Sequence, residues 1–278
     1  MPEGVAPLAE LAASLGVLGV ELWHPQNTTI TGLDHAISRV RAAGLEVICL
    51  SSGIELYRCG GSVADQQRLL ELVSAATQHG VRFVNTYFGY ASIVDDSHAI
   101  DVYARLLEPC LAAAGDDVTI LLENEFDSFG WDPAGTDVSR RPEALLRLFE
   151  RVGSERFRLT FDPANFLCAG VRPLEACDAL AHHVGYVHVK DVRSGKVVAP
   201  GWREYHDHGK VFATCPFGEG EVPWRALLGR LQSEGYAGIF NLEPHSQPED
   251  RERAFRGCLT SLSSMLTDGA PVTSAAPS

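Results

Sequence analysis

Several features that mark common protein classes are missing from this sequence. Its seven cysteines include no CxxC pair, and an odd number of scattered cysteines does not make a disulfide framework. The glycines never fall into GxGxxG spacing, so a nucleotide-binding loop is not supported. No apolar run approaches the roughly 20 residues that a membrane span needs. We therefore expect a cytoplasmic protein with reduced thiols and no membrane contact.

Positive charge is scarce as well. The 278 residues carry a formal net charge of −13 and a pI near 5.2. A chain of this charge has no overall attraction for polyphosphate, so nucleic acid is disfavoured as a partner. The N-terminus carries Glu3 and Glu10 and lacks the basic stretch of a signal peptide. Its first residues are expected to form an amphipathic helix followed by a strand.

Four apolar stretches between residues 118 and 245 each carry a side chain that could bind a metal ion. They are VTILLENE with Glu123, FRLTFDPANF with Asp162, YVHVKDV with His188 and GIFNLEPH with Glu243. Each run is typical of a buried parallel strand, and each is followed by a helix-like segment. We refer to these four side chains as the strand-end cluster.

Strand and helix patterns alternate along the chain at intervals of roughly 30 residues, the order typical of a parallel sheet that curls towards a barrel. We predict an α/β fold of the (β/α) TIM-barrel type with seven recognisable strands. A single domain is expected over residues 1–266. Residues 267–278 have the composition of a disordered tail.

A closed (β/α)₈ barrel begins with a strand, and this sequence lacks a convincing one. Only MPEGVA precedes the first helix pattern, and Pro2 and Gly4 make it a poor strand. We therefore expect a gap with two unpaired strand edges between the first and last recognisable strands. Two explanations stay open. Either the recorded start lies downstream of the natural one, which we favour, or another segment or subunit covers the gap.

The strand-end cluster predicts a metal site. The carboxyl ends of barrel strands converge on one mouth, so the four side chains should meet despite their separation in sequence. Carboxylates held close together repel one another, and a divalent cation removes that repulsion. Three carboxylates and one imidazole suit Mn²⁺, Mg²⁺ or Co²⁺, with Zn²⁺ as a further option; we favour Mn²⁺. The alternative is that each side chain simply pairs with an arginine or lysine. We favour the metal site, because four such side chains occur at successive strand ends.

Four segments in this order resemble the xylose isomerase-like TIM barrel superfamily, in particular its sugar isomerase and epimerase branch. They are LLENE, FDPAN, HVKD, and GEGEVPW paired with NLEP. The resemblance implies that the strand-end cluster binds a divalent metal and that its two glutamates flank the substrate carbon, as in ketose epimerases. Glu125 and Asn165 depart from the pattern, since members often have histidine there. Glu125 argues against a dehydroshikimate dehydratase, whereas the Asn165 amide can still hold a substrate hydroxyl.

These observations favour a metal-dependent isomerase or epimerase that acts on a small sugar or keto-polyol through an enediolate intermediate. Glu123 or Glu243 would remove the proton, and the other would return it in an epimerisation. Two alternatives stay open: a dehydratase or lyase that uses the same site, and a catalytically silent barrel that serves as a binding subunit. The sequence also leaves a homo-oligomer open.

Lys190 is a candidate catalytic residue. Strand alternation along YVHVKDV puts it on the same side as His188, where its ammonium group could polarise a substrate oxygen. The alternative is an ion pair with Asp191; we favour the catalytic role. The remaining candidates for substrate contact are Trp23, Asn165, Arg193, His206 and His208.

Two long loops are predicted beside this site. The first, over residues 126–141, is rich in aromatic side chains, which is typical of a lid or a substrate wall. The second, over residues 193–223, contains the sequence His206-Asp207-His208. This triplet could bind a second metal or the substrate, and a solvated turn is the alternative.

Overall fold

The apolar runs of the sequence form parallel strands that are buried in the centre of the molecule. The structure is a computed structural model that describes residues 4–24, 32–92, 96–127, 135–197 and 201–268. Within these ranges one parallel sheet curls into a nearly closed barrel with helices around it, which confirms the predicted fold. Its seven strands, in the order in which they pair, are β1 (Gly19–His24), β2 (Glu46–Glu55), β3 (Phe83–Tyr87), β5 (Thr119–Glu123), β7 (Phe157–Phe161), β8 (Val184–Val189) and β12 (Ile239–Leu242).

Helices pack on the outside of the sheet and bury one face each. Ser62 begins one of them as an N-cap whose side chain accepts from the Asp65 N–H, and Gly80 ends it in the left-handed conformation. Pro142 lies in the first turn of another, where its missing N–H costs nothing. The helices are α1 (Val5–Leu15), α2 (Leu33–Ala42), α3 (Val63–His79), α4 (Ser97–Ala113), α5 (Pro142–Val152), α6 (Pro163–Cys168), α7 (Pro173–Leu180), α8 (Trp224–Ser233) and α9 (Arg251–Asp268).

A small antiparallel sheet follows the strand that carries His188, where the sequence predicted a long loop over residues 193–223. Its strands are β9 (Asp191–Ser194), β10 (Glu204–Asp207) and β11 (Lys210–Cys215), in the order β10-β11-β9. The loop prediction was therefore wrong for much of this segment. Residues His208 and Gly209 join β10 to β11 with positive φ angles of 43° and 80°. This is the backbone of a tight hairpin turn, which Asn-Gly normally signals and His-Gly does not.

A second ladder lies within the predicted aromatic loop over residues 126–141. Here β6 (Gly135–Asp137) pairs antiparallel with β4 (Tyr90–Ser92). Phe126 is buried, while Phe129 and Trp131 lie outside the described residues. The lid role of this loop stays a prediction.

β1 and β12 are the two edges of the barrel sheet, and in the described part of the chain no backbone pairing joins them. An apolar cavity of about 230 Å³ lies along these edges, lined by residues of α1, β1, β12 and α9. All four residues of β12 are only half-buried. The expected gap between the first and last strands is therefore present. A side-chain hydrogen bond spans the gap, since Asn241 Nδ2 donates to Glu21 Oε2 at 3.1 Å.

Three further expectations concern the chain as a whole. No helix in the ranges given above combines the length and apolar character needed to cross a bilayer. The cysteine side chains that the structure describes are free and buried: Cys49, Cys110, Cys168, Cys177, Cys215 and Cys258. Helix α9 continues to Asp268, and the rest of the predicted tail lies outside the described residues.

Candidate metal centre

The strand-end cluster comes together at the mouth of the barrel. Glu123 ends β5, Asp162 follows β7, His188 lies in β8 and Glu243 follows β12. Each of the four offers a ligand atom, and these atoms lie within 4.8 Å of one another. The Asp162 and His188 side chains are fully buried, whereas that of Glu243 is 12% exposed. The chain thus has a group of acidic and histidine side chains that could hold a metal ion.

Glu123 is held in place by donors from the neighbouring strand β3. Asn85 Nδ2 donates to Glu123 Oε2 at 2.9 Å, and the Tyr87 hydroxyl donates to the same atom at 3.0 Å. Because Asn85 and Tyr87 are two residues apart, they point to the same face of the sheet. Burial and then the charge of Glu123 raise the pKa of Tyr87, which keeps the phenol protonated as a donor. Oε1 of Glu123 faces His188, 3.0 Å from Nδ1.

Asp162 ends its strand and begins the next helix. Its Oδ1 accepts from the backbone N–H groups of Ala164 and Asn165, each at 2.9 Å, and so caps α6. Its Oδ2 lies 2.7 Å from Lys190 Nζ. Asn124 locks the Asp162 backbone from both sides, since its Nδ2 donates to the carbonyl at 2.9 Å and its Oδ1 accepts from the N–H at 2.8 Å. The orientation of this carboxylate is therefore fixed by the backbone around it.

His188 lies between three carboxylates. Its Nδ1 is 3.0 Å from Glu123 Oε1 and 3.3 Å from Glu243 Oε2, while its Nε2 is 3.3 Å from Glu21 Oε2. Burial opposes protonation of the ring, but the carboxylates of Glu123, Glu243 and Glu21 outweigh it and raise the pKa of His188. The cationic ring offsets part of the repulsion among the carboxylates.

Glu243 has cationic and imidazole groups on both sides. Lys190 Nζ lies 3.5 Å from its Oε2, and His245 Nε2 lies 3.2 Å from its Oε1. Burial acts to raise the pKa of Glu243, but Lys190, His188 and His245 outweigh it and hold that pKa well below its usual range. The other ring nitrogen of His245 is hydrogen-bonded to the Tyr205 hydroxyl from β10. The small antiparallel sheet therefore reaches the mouth of the barrel through Tyr205.

Trp23 and Asn165, two predicted substrate contacts, lie in the shell around the cluster. Trp23 is half-buried at the end of β1, with its ring centroid 5.8 Å from that of Tyr87. Asn165 is 1% exposed, and its Nδ2 donates to the Asn124 carbonyl at 2.9 Å and to Glu123 Oε1 at 3.5 Å. The described residues supply no hydrogen-bond partner for Asn165 Oδ1. A buried acceptor of this kind is a position where a ligand can donate a hydrogen bond.

Arg193, His206 and His208 are placed outside the strand-end cluster. Arg193 is half-buried in β9, and its Nε has no hydrogen-bond partner among the residues described. His206 has a 61% exposed side chain and lies 3.0 Å from Glu204 Oε1 through its Nε2. His208 has a 51% exposed side chain, with Nε2 2.6 Å from Asp127 Oδ2. Their roles as substrate contacts stay predictions.

A second acidic group is paired with an arginine. Ligand atoms of Asp127, Asp207 and His208 lie within 4.8 Å of one another. Arg140, however, bonds both Asp127 and Asp207, the latter at 2.9 Å, and the Asp127 N–H donates to Asp207 Oδ1 at 2.9 Å. Because the guanidinium bonds both carboxylates and His208 Nε2 lies 2.6 Å from Asp127 Oδ2, we interpret this group as a clamp that ties the β10–β11 hairpin to the segment after β5. We refer to Asp127, Arg140 and Asp207 as the hairpin clamp.

Five side chains around the cluster were given no role from the sequence: Glu21, Asn85, Tyr87, Tyr205 and His245. For Glu21, Asn85 and Tyr87 a signal was present, because strand alternation points each of them into the barrel interior. For Tyr205 there was none, since it reaches the site only through the unpredicted hairpin. His245 lies two residues after Glu243. Because both residues follow the end of the strand, strand alternation does not predict where the His245 side chain points.

The comparison with protein families decides where this barrel belongs. A model of the xylose isomerase-like TIM barrel family matches residues 9–262, a range that includes the whole strand-end cluster. The chain belongs to the xylose isomerase-like TIM barrel family. The resemblance read from LLENE, FDPAN, HVKD and NLEP is thereby confirmed.

One relative of this xylose isomerase-like barrel is the uncharacterized protein YihM of Escherichia coli K12, 26% identical over 170 residues. The match covers 61% of this chain and 45% of YihM, so the chain spans less than half of that protein's length. The 3-keto-D-glucoside 4-epimerase YcjR from E. coli has a TM-score of 0.72 at 14% identity, covering 95% of each chain. A xylose isomerase-like TIM barrel protein from Mycobacterium smegmatis in complex with magnesium has a TM-score of 0.69 at 16% identity, covering 95% of this chain and 87% of its own. At these identities the two structures show a shared fold.

Proposed function

We propose that this protein is a divalent-metal-dependent isomerase or epimerase that acts on a small sugar or keto-polyol. The observation that carries the proposal is the strand-end cluster, whose ligand atoms lie within 4.8 Å of one another at the mouth of a xylose isomerase-like barrel. The fold shared with a 3-keto-D-glucoside 4-epimerase and with a magnesium-bound barrel supports it. Adjacent carbonyl and hydroxyl oxygens are the substrate groups that such a site would chelate.

The residues present fit a divalent cation. Glu123, Asp162, His188 and Glu243 would hold it, and their oxygen majority favours Mn²⁺, with Mg²⁺ or Co²⁺ next. Asn165 Oδ1 is buried and has no partner within the described ranges, so it offers a further acceptor beside the cluster. When bound, the cation would polarise the substrate carbonyl and acidify the neighbouring C–H.

Glu243 is the better placed of the two glutamates to accept a proton. Its side chain is 12% exposed, against 3% for Glu123, so a substrate can reach it more readily. Lys190 helps to hold its pKa below the usual range, so Glu243 is ionised at neutral pH. Oε2 of Glu123 is occupied by the donors Asn85 and Tyr87. We therefore assign proton removal to Glu243, which becomes protonated. Glu123 would return a proton to the opposite face only by entering the step as the carboxylic acid and leaving it ionised.

The remaining side chains bind and orient the substrate. The buried ammonium group of Lys190 can donate to an oxygen on which negative charge develops during proton removal. Asn165 Oδ1 can accept a bond from a substrate hydroxyl. The Trp23 ring, which packs on Tyr87, can cover one face of a sugar. These roles require a small polyhydroxy substrate. The carbon to which the proton returns would depend on how that substrate lies in the site.

Incubation with ketoses and keto-polyols in D₂O tests this function. With Mn²⁺ present, we expect deuterium on the carbon next to the carbonyl, detected by NMR or mass spectrometry. A changed configuration at that carbon would assign an epimerase, carbonyl migration an isomerase, and loss of water a dehydratase. No exchange with any compound, together with no metal binding, would favour a catalytically silent barrel instead.

The variant Glu243→Gln makes the test specific to one residue. Glutamine keeps a ligand oxygen but cannot take a proton, so exchange should fall by about 10² to 10⁴. The matched control is Glu249→Gln, because Glu249 is exposed six residues further along the chain and should not affect exchange. Exchange within a few-fold of the unaltered protein would show that Glu243 is not the base.

We also propose that the enzyme works in the cytoplasm and does not bind nucleic acid. The buried free cysteines described above support a reducing environment. The formal net charge of −13 opposes binding to polyphosphate.

A further inference from the structure

Glu21 is a buried carboxylate beside the strand-end cluster that the proposed chemistry does not use. It lies in the middle of β1, is 8% exposed, and is not one of the four residues with clustered ligand atoms. Its Oε2 lies 3.3 Å from His188 Nε2 and 3.1 Å from Asn241 Nδ2. It is therefore close enough to control the ring of His188 without facing the centre of the cluster.

The two nitrogens of His188 face different groups. Nδ1 points at Glu123 Oε1 and Glu243 Oε2, at 3.0 and 3.3 Å, and Nε2 points at Glu21. A cation held by the cluster would need the lone pair of Nδ1, so the ring proton would have to sit on Nε2. In metal sites the far nitrogen of a ligating histidine commonly donates to a carboxylate, which fixes both the tautomer and the orientation of the ring. Glu21 is the carboxylate in that position here.

Glu21 also spans the gap in the barrel. Asn241 lies directly opposite His188 in the register of β12 with β8, whereas Glu21 lies on β1 at the other edge. Because no backbone ladder joins β1 to β12 within the described ranges, the distance between Glu21 and the ring is set by side chains. The bond from Asn241 Nδ2 holds the Glu21 carboxylate against His188 and satisfies one more of its lone pairs.

We propose that Glu21 is a positioning residue that accepts the Nε2 proton of His188 and thereby presents Nδ1 to the metal ion. Asn241 supports it by holding the carboxylate in place across the gap between β1 and β12. The inference rests on the proposed metal centre, because a histidine without a metal needs no fixed tautomer.

Metal affinity and the hydrogen bond made by His188 Nε2–H test this inference. The metal-free protein and its Glu21→Ala and Glu21→Gln variants are titrated with Mn²⁺ by calorimetry, with His188→Ala as the reference for a lost ligand and Glu46→Gln as the control at an exposed strand position. We expect Glu21→Ala to weaken Mn²⁺ binding by about 10- to 100-fold. Glu21→Gln should weaken it less, because the amide oxygen can still accept from Nε2. Glu46→Gln should bind as the unaltered protein does.

A second readout separates orientation from general stability. In Mg²⁺-loaded protein labelled with ¹⁵N-histidine, ¹H–¹⁵N spectra should show the His188 Nε2–H proton as a downfield signal that exchanges slowly with water. This signal should move upfield and exchange faster in Glu21→Ala, and do so less in Glu21→Gln. If Glu21→Ala does not fold, Glu21→Gln alone carries both measurements.

The outcomes distinguish this inference from the proposed function. Unchanged Mn²⁺ affinity in both Glu21 variants, with a large loss in His188→Ala, would overturn the inference and leave the metal centre standing. Weaker binding with an unchanged Nε2–H signal would also overturn it, because Glu21 would then act only on stability. Unchanged affinity in His188→Ala itself would remove the metal centre and the inference with it.

Discussion

Lys190 Nζ lies 2.7 Å from Asp162 Oδ2, within the group of carboxylates that would hold a cation. It is also 3.5 Å from Glu243 Oε2. Burial opposes the charged form of Lys190, but Asp162 and Glu243 outweigh it and raise its pKa well above the usual range, so the ammonium group persists at neutral pH. A fixed positive charge here stabilises the carboxylates and at the same time repels a divalent cation.

Replacing Lys190 by Met should therefore separate metal binding from turnover. Methionine keeps most of the volume and removes the charge, so we expect Mn²⁺ to bind at least several-fold more tightly by calorimetry. Deuterium exchange into substrate should fall, because the group that faces a developing oxyanion is gone. Lys210→Met, at an exposed position of β11, should change neither measurement. Weaker metal binding in Lys190→Met would mean that the lysine organises Asp162 instead of competing with the cation.

The positions of the strand-end cluster were predictable because they follow from topology alone. Parallel strands in a barrel all end at one mouth, so Glu123, Asp162, His188 and Glu243 had to converge once their strands were recognised. The contact between Glu21 and His188 was not predictable in this way. It depends on how closely β1 approaches β12 across a gap with no backbone pairing among the described residues, and no sequence pattern sets that distance.

The β10–β11 hairpin was missed for a local reason. Its turn uses His208 at a φ of 43°, a conformation that asparagine or glycine adopts far more often. Tyr205, on β10, contacts His245 only because this hairpin folds back over the mouth of the barrel. Because the turn at His208 and Gly209 was not predicted, Tyr205 was not predicted to lie at the site.

The hairpin clamp should contribute strongly to stability. Arg140 bonds both Asp127 and Asp207, whose side chains are 3% and 2% exposed, and His208 contacts Asp127 from the hairpin turn. Removal of Arg140 takes away the cation that the two buried carboxylates share. Arg140→Met should lower the free energy of unfolding by about 3–5 kcal/mol in urea titrations. Arg172→Met is the control, because the Arg172–Glu175 pair is 81% and 63% exposed and should contribute less than about 1 kcal/mol. Equal losses in the two variants would contradict the clamp.

Asp137 should make stability depend on pH between about 4 and 7. Burial raises its pKa from 3.8 to about 7, although the Ser139 hydroxyl and N–H both donate to Oδ1. The folded state therefore binds more protons than the unfolded state within this window, and the contribution of Asp137 to stability falls as pH rises. The Asp137→Asn variant lacks this titration, because an amide does not ionise. The free energy of unfolding of the unaltered protein, minus that of Asp137→Asn, should fall by about 2 kcal/mol from pH 5 to pH 7. A difference that is constant with pH would show that Asp137 is ionised throughout.

The cavity between β1 and β12 should accommodate a larger apolar side chain on α1. Ala12, on α1, lines this cavity of about 230 Å³ and is 5% exposed, so a larger side chain can enter space that contains no protein atoms. Ala12→Leu should raise the free energy of unfolding by about 1 kcal/mol and the melting temperature by about 2–4 °C. Ala76→Leu is the matched control, because Ala76 is fully buried in α3 within the main core, where the same enlargement should cost about 1–3 kcal/mol. Differential scanning calorimetry of both variants checks the pair. A loss of stability in Ala12→Leu as large as that in Ala76→Leu would mean that α1 closes over the strand edges in solution and leaves no room between them.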